Sequence, residues 1–309
     1  MSRYVIQRLI MAVVTILAVA TLIFFLIRLL PGDPFMDPKV PEEIQLRQKT
    51  YYGLDKPMYE QYYIYIKNIV KGNLGYSLRY KGRTVNSIIT DSFPYSADLG
   101  IRALIFSTIA GIFMGIIAAL KKGKGWDNIT MIIAILGVSV PSFVVGSLLQ
   151  YFLAVKFKLF PVAQYTSTLH TILPTFALGI GTLATLARLM RTSMLDVVSM
   201  DYIKSAKAKG LKEYQLTWKH QIRNAILPVV TVVGMNVATL LTGTFVIENI
   251  FAIPGLGKYY VLGIQNLDYP MISGLTLVFA VFLVSTQLIV DLLYGFIDPR
   301  IRVSGKRGD

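Results

Sequence analysis

Six stretches of this chain run without a charge for long enough to cross a lipid bilayer. They are Leu9–Ile27, Ala103–Leu120, Ile129–Val155, Ile172–Ala187, Ile226–Ile247 and Met271–Val290. A helix rising 1.5 Å per residue needs roughly 20 apolar residues to span a hydrocarbon layer of about 30 Å. Most runs are closed by charge: Arg28, Lys121 with Lys122, Arg188 and Asp291. The fourth is short and is expected to extend to Met190, with Arg188 snorkelling to the interface. Pro141 lies within the third and Pro228 near the start of the fifth. Ala18-Val19-Ala20 mimics a signal-peptide cleavage site, but the apolar run continues to Ile27, as a retained anchor would. The predicted class is an all-α membrane protein with six transmembrane helices.

Composition agrees. Hydrophobic residues make up 54% and charged residues only 16% of 309, against about 25% charged in an average soluble chain. That balance excludes a soluble enzyme and a disordered chain. With no Cys and only His170 and His220, thiolate metal sites, iron–sulfur clusters and His-rich cages are excluded too. The net charge is +14. Because that charge is divided by apolar runs, it points to membrane lipid rather than nucleic acid.

Lys and Arg in short loops set orientation. With the N-terminus inside, the cytoplasmic segments carry 17 of them, including Arg3, Arg8, Lys121, Lys122, Lys124, Arg300, Arg302, Lys306 and Arg307. The two short outer loops carry three: Lys156, Lys158 and Lys258. Both termini are therefore expected in the cytoplasm. The segments are then 1–30, an N-terminal tail and first span; 31–97, an extracytoplasmic insertion; 98–300, the core of six-span architecture with a cytoplasmic loop at 191–224; and 301–309, a tail.

The insertion opens on the breaker cluster Pro31-Gly32-Asp33-Pro34. Pro41-Glu42-Glu43 and Pro57 each read as a helix start. Tyr59, Tyr62, Tyr63, Ile66, Ile69 and Val70 recur at helical spacing. That face suits a membrane interface or a neighbouring helix, or alternatively an external partner. The loop 191–224 is too long for a simple connection. Met194, Leu195, Val198, Tyr202 and Ile203 carry helical periodicity, Gly210 reads as a C-cap, and a second helix is expected from Glu213 to about Asn224, bearing Trp218. Such a helical hairpin is either a docking surface or a basic segment resting on anionic lipid. Glu248 to Gly257 is apolar and rich in Gly and Pro, as a packed, re-entrant or gate-lining segment would be.

Known catalytic motifs are missing. Gly255-Leu256-Gly257-Lys258 lacks the upstream Gly of a phosphate loop, having Ala252 there, and Tyr259 follows it. Gly115, Gly137 and Gly146 read as close helix packing. Asn236, Gln150 and Gln287 read as hydrogen-bonding groups between helices, and Asp98 with Arg102 as an ion pair on one helix face. The centres of the six runs hold no ionisable residue, which weighs against an ion-coupled carrier or channel. A chain of this kind has no energy source of its own.

One loop narrows the class. Asp201-Tyr202-Ile203-Lys204-Ser205-Ala206-Lys207-Ala208-Lys209-Gly210-Leu211, followed by Arg223-Asn224-Ala225-Ile226-Leu227-Pro228, resembles the EAA loop of the membrane subunits of bacterial ABC importers, in the form found in the oligopeptide, dipeptide and nickel permease family. Leu30-Pro31-Gly32-Asp33-Pro34, Glu248 to Gly257 and Asp298-Pro299-Arg300 resemble the same family, so the likeness covers essentially the whole chain. The long first outer loop resembles the B-type subunit of an oligopeptide permease. Two departures stand out. Lys204, Ser205 and Ala206 replace the usual Glu-Ala-Ala, and the distance from Gly210 to Pro228 exceeds the general pattern; both are usual in the peptide branch.

The resemblance implies a type I ABC importer permease fold in a bacterial cell membrane. It implies a coupling helix at Asp201, Lys204, Ser205, Ala206, Lys207, Ala208, Lys209, Gly210 and Leu211 that docks on a cytoplasmic ATPase. It further implies a second homologous (C-type) permease, two ATPase subunits binding ATP and Mg, and an extracytoplasmic binding protein delivering oligopeptides. This chain itself would hold no catalytic residue, metal or cofactor. Dipeptides, nickel chelates and glutathione are the alternative cargoes. A membrane scaffold without transport activity would not need the Lys204–Gly210 pattern.

Overall fold

The computed structural model describes residues 2–29, 50, 53–80, 82–242 and 245–297. The breaker cluster at Leu30–Pro34, the helix start at Pro41-Glu42-Glu43, the Asp298-Pro299-Arg300 ending and the tail 301–309 lie outside the described residues. The chain divides into two compact units, 1–95 with 254–309 and 96–253.

In the first unit, α1 (Ser2–Leu29) packs along α12 (Tyr269–Ile297). Arg8 Nη1 meets Asp291 Oδ2 at 2.9 Å. Helix α2 (Met58–Val70) starts at Pro57, whose backbone (φ −57°, ψ 150°) leads into a helix that has no use for the missing N–H. It leans on α1 through Tyr62 Oη and Thr21 Oγ1 at 2.8 Å, and through Gln61 Oε1, which accepts from Arg28 at 2.9 and 3.1 Å. The predicted tyrosine face is thereby split. Tyr62 turns to the neighbouring helix, while Tyr59, Tyr63 and Val70 are exposed. A small core forms from Val85, Ile88, Leu256, Met271 and Leu275. It joins the start of α3 (Val85–Leu120), α11 (Leu256–Gln265) and α12. Asp268 is buried beside it and caps α12 through the Met271 N–H at 3.2 Å. The same carboxylate accepts from the Ser77 hydroxyl and from the Arg79 N–H.

In the second unit, α6 (Leu169–Val198) is the hub. It packs against α4 (Gly125–Ser139), α5 (Ser142–Leu149) and α9 (Arg223–Thr242). Close packing rests on missing side chains. A Cβ at Gly115 would lie 2.6 Å from the Ala187 carbonyl oxygen, and one at Gly137 would lie 2.9 Å from Ala184 Cβ. Small residues let membrane helices approach until backbones touch. Below these contacts Leu186, Met190, Met194, Ile222, Ala225 and Val229 form the main buried cluster.

Two expected spans differ in the structure. The third run is not one straight helix. Pro141 follows Val140 in extended conformation, and α4 and α5 meet at 107°. Proline disfavours helical backbone at the residue before it and cannot donate to the turn behind it. A π-helical segment, Gln150–Lys156, continues α5. The fifth run begins earlier than expected. A helix runs from α8 (Glu213–Leu216) through a π-helical segment (Thr217–Ile222) into α9 without a break. A separate helix, α10 (Phe245–Ile250), follows. Among the described residues five single helices are long and apolar enough to cross a membrane, and the bent pair makes a sixth crossing when taken together.

Candidate functional site

The loop singled out by its motif is a compact hairpin. Helix α6 ends at Val198, and Met200 in extended conformation (ψ 145°) starts α7 (Asp201–Ala208). Asp201 lies in the first turn and Lys207 in the last, each where the helix dipole favours its charge. Gly210 sits at φ +81°, a left-handed conformation that a side chain resists. Its N–H bonds the Lys207 carbonyl at 3.0 Å and ends the helix, as the sequence predicted. The returning arm starts at Glu213.

One apolar seam closes the hairpin. Ile203, Ala206 and Leu216 are buried together, with Val197 and Leu211 packed at their edge. The seam ties α7 both to the end of α6 and to the helix that becomes α9. Two ion pairs border it, Lys204 with Asp201 and Lys207 with Glu213, both at 2.9 Å. All four side chains are at least 67% exposed, so these pairs add little stability. Asp201, Lys204, Ser205, Lys207, Ala208, Lys209 and Gly210 are exposed. Ala206 instead packs inside this chain, and Leu211 is half-buried against the seam. The small side chain of Ala206 therefore serves closure of the hairpin. Sequence reasoning missed the seam, though the spacing of Ile203, Ala206 and the later Leu216 carries its signal. Trp218 and Tyr214, one turn apart on the returning arm, are also exposed.

Behind the hairpin lies an ion pair that the sequence did not disclose. Arg191 Nε donates to Asp127 Oδ1 at 2.5 Å, and Arg191 Nη2 to Asp127 Oδ2 at 2.8 Å. The Gly123 N–H completes the carboxylate's bonding at 2.9 Å. Asp127 is 3% exposed. The arrangement fastens the turn before α4 to the last third of α6, close to where α7 begins.

The predicted pair Asp98–Arg102 forms at 2.8 Å on α3. Tyr165 joins it by donating its phenol to Asp98. Partial burial and the adjacent carboxylate push the Tyr165 phenol up, so it remains a donor. Gln150 makes the predicted contacts between elements, donating to the carbonyls of Val162 at 2.8 Å and Ile250 at 2.9 Å. Asn236 donates within its own helix to Val232, and Thr182 Oγ1 approaches its Oδ1 at 3.5 Å. Gln287 stays on α12, 3.2 Å from Asp291. The segment from Glu248 is packed, as expected: Phe251 and Ile253 are buried, and buried Glu248 accepts from Ser96 at 2.6 Å. Among the described residues no group of three His, Cys, Asp or Glu is placed to hold a metal ion.

Comparison with known proteins gives this geometry a family. Residues 111–303 match the family described as the binding-protein-dependent transport system inner membrane component, and residues 1–100 match its N-terminal counterpart. The dipeptide transport system permease protein DppB of Bacillus subtilis is 44% identical over 307 residues, covering 99% of this chain and 100% of the relative. The oligopeptide transport system permease protein OppB of Haemophilus influenzae is 38% identical over 305 residues, covering 98% and 100%. Among solved structures, an inward-facing conformation of the MetNI methionine ABC transporter superposes with a TM-score of 0.53 at 16% identity. That match covers 68% of this chain and 96% of the other, and it shows a shared type I importer permease fold. An all-helical chain with membrane-length spans, matched by both family descriptions almost end to end, belongs to the binding-protein-dependent transport system inner membrane components, the permease subunits of ABC transporters.

Proposed function

We propose that this chain is one of two membrane-spanning subunits of an ATP-driven peptide importer, taking oligopeptides handed over by an extracytoplasmic binding protein. The carrying observation is the full-length identity to peptide permeases, 44% to a dipeptide one and 38% to an oligopeptide one. The higher identity to dipeptide permeases favours a second reading, in which dipeptides are the main cargo. In both readings the termini and the 191–224 hairpin face the cytoplasm, and 31–97 lies outside, supported by the bias of Lys and Arg toward one set of loops.

The hairpin supplies the coupling. Asp201, Lys204, Ser205, Lys207, Ala208, Lys209 and Gly210 form the face that seats on a partner ATPase, with Ala206 and Leu211 holding that face rigid from behind. Closure of two ATPases around ATP and Mg would push α7. The Ile203–Leu216 seam joins α7 to both α6 and α9, so one push displaces two spans together. A second, homologous permease completes the path.

The test is uptake of labelled di-, tri- and pentapeptides, with nickel alongside, in cells lacking this chain and in cells re-expressing it. The proposal expects peptide uptake to vanish and return. Return of dipeptide uptake alone selects the second reading, and return of nickel uptake alone overturns both.

A further inference from the structure

Helix α6 carries Thr185, Arg188 and Thr192 on one side, and all three are exposed. At spacings of three and four they share one face. The depth of Arg188 can be read from its neighbours. The buried Asp127–Arg191 pair lies beside the Lys121–Lys124 turn, where α4 begins. Arg188 Nη2 points at the carbonyl of Ala134, at 3.5 Å. Ala134 lies two turns further along α4, roughly 10 Å from the level of Asp127. The guanidinium thus sits roughly 10 Å further along α4 than the charged turn, within the apolar stretch of that helix. Snorkelling would have turned it the other way. A helical side chain leans toward its own N-terminus, which on α6 means toward the middle of the span.

Among the described residues no carboxylate lies within ion-pair distance of Arg188, and its one hydrogen bond is the marginal contact to the Ala134 carbonyl. Arg191, one turn away, is held by two bonds to Asp127. An arginine facing hydrocarbon within a span is costly, so such residues face protein or a watery path. The side of α6 that bears Arg188 is flanked by hydroxyls, as a water-lined path requires.

We infer that Arg188 lines the translocation path and binds the C-terminal carboxylate of the passing peptide. The inference rests on the peptide-importer reading and deepens it. A planar guanidinium matches a carboxylate with two parallel hydrogen bonds. Every peptide ends in that group whatever its side chains, so one fixed cation serves cargo of varied sequence. A weakly tethered arginine also suits transit, because a site on a path must release what it binds.

The experiment uses the complete transporter in cells, with one labelled tripeptide supplied as the free acid or as the C-terminal amide. The reading is the ratio of the two uptake rates. Selection by the binding protein is common to all strains and cancels when ratios are compared. Arg188→Gln should lower the acid-to-amide ratio about tenfold, the scale of one lost hydrogen bond to a charged group, while amide uptake is retained. Arg188→Met, whose apolar side chain suits the bilayer, should do the same and guards against a failure of Gln to insert. An unchanged ratio in both variants, or equal loss of acid and amide uptake, overturns the inference. If the wild-type chain restores uptake of neither peptide, the peptide reading itself has failed, and the inference falls with it.

Discussion

Asp127 and Arg191 form a buried, two-bond ion pair at 2.5 and 2.8 Å, joining residues 64 apart in sequence. Their side chains are 4% and 24% exposed. Removing one member leaves the other desolvated without its counter-charge, which typically costs 3–5 kcal/mol. Asp127→Ala should therefore lower the thermal unfolding temperature of the purified transporter markedly. Arg191→Lys should fall between wild type and Asp127→Ala, since an ammonium cannot reproduce the fork. A melting curve of Asp127→Ala that overlays wild type would refute the pair's structural weight.

Gly115 tests the close approach of α3 to α6. Its absent Cβ would lie 2.6 Å from both the Ala187 oxygen and Met190 Cβ. Gly115→Ala is expected to destabilise by about 1–3 kcal/mol, the usual penalty of overpacking. Gly125→Ala, where a Cβ would meet nothing within 4 Å, is the matched control and should be silent. Chemical denaturation in detergent compares the two.

Coupling depends on the hairpin's shape. Gly210 holds φ +81° in open space, so a substitution there strains the backbone without filling a gap inside the chain. Gly210→Trp should leave membrane levels normal, keep ATP hydrolysis by the partner subunits and abolish uptake. Transport at the wild-type rate would sink the coupling assignment.

The seam behind α7 makes a separate prediction. Ile203 is 3% exposed against Ala206 and Leu216. Ile203→Ala removes most of that contact, at a cost of about 2–5 kcal/mol for a buried site. The hairpin should then open more often. Limited trypsin digestion should cut faster around Lys207, Lys209 and Lys212, with cleavage elsewhere unchanged.

Tyr65 gives a pH signature and a stabilising change. Burial pushes its phenol up to about 12, and its hydroxyl has no hydrogen-bond partner among the described residues. Because the folded value is raised, the neutral phenol's contribution is fully present below pH 10 and fades as pH rises toward about 12. Tyr65→Phe removes an unsatisfied buried hydroxyl, so it should match or exceed wild-type stability at pH 7. Its loss of stability between pH 10 and 12 should also be smaller.

Much of this architecture was legible in the amino acids. Apolar runs are a local property, and lipid rewards them wherever they occur, so the spans and the Gly210 cap could be read along the chain. Pro141 was visible, yet Ile129–Val155 reads as one span because its apolar character continues across the proline. The 107° bend depends on backbone geometry, which composition does not carry. No motif in the sequence marks Asp127; only the packing of α4 on α6 brings Arg191 to it. Ala206 looked like a partner-facing small residue until Ile203 and Leu216 closed over it. Membrane insertion, family and hairpin were thus determined residue by residue in the sequence. The ion pairs, the buried seam and the lean of Arg188 toward mid-span were decided by tertiary structure, because such contacts depend on which helices become neighbours.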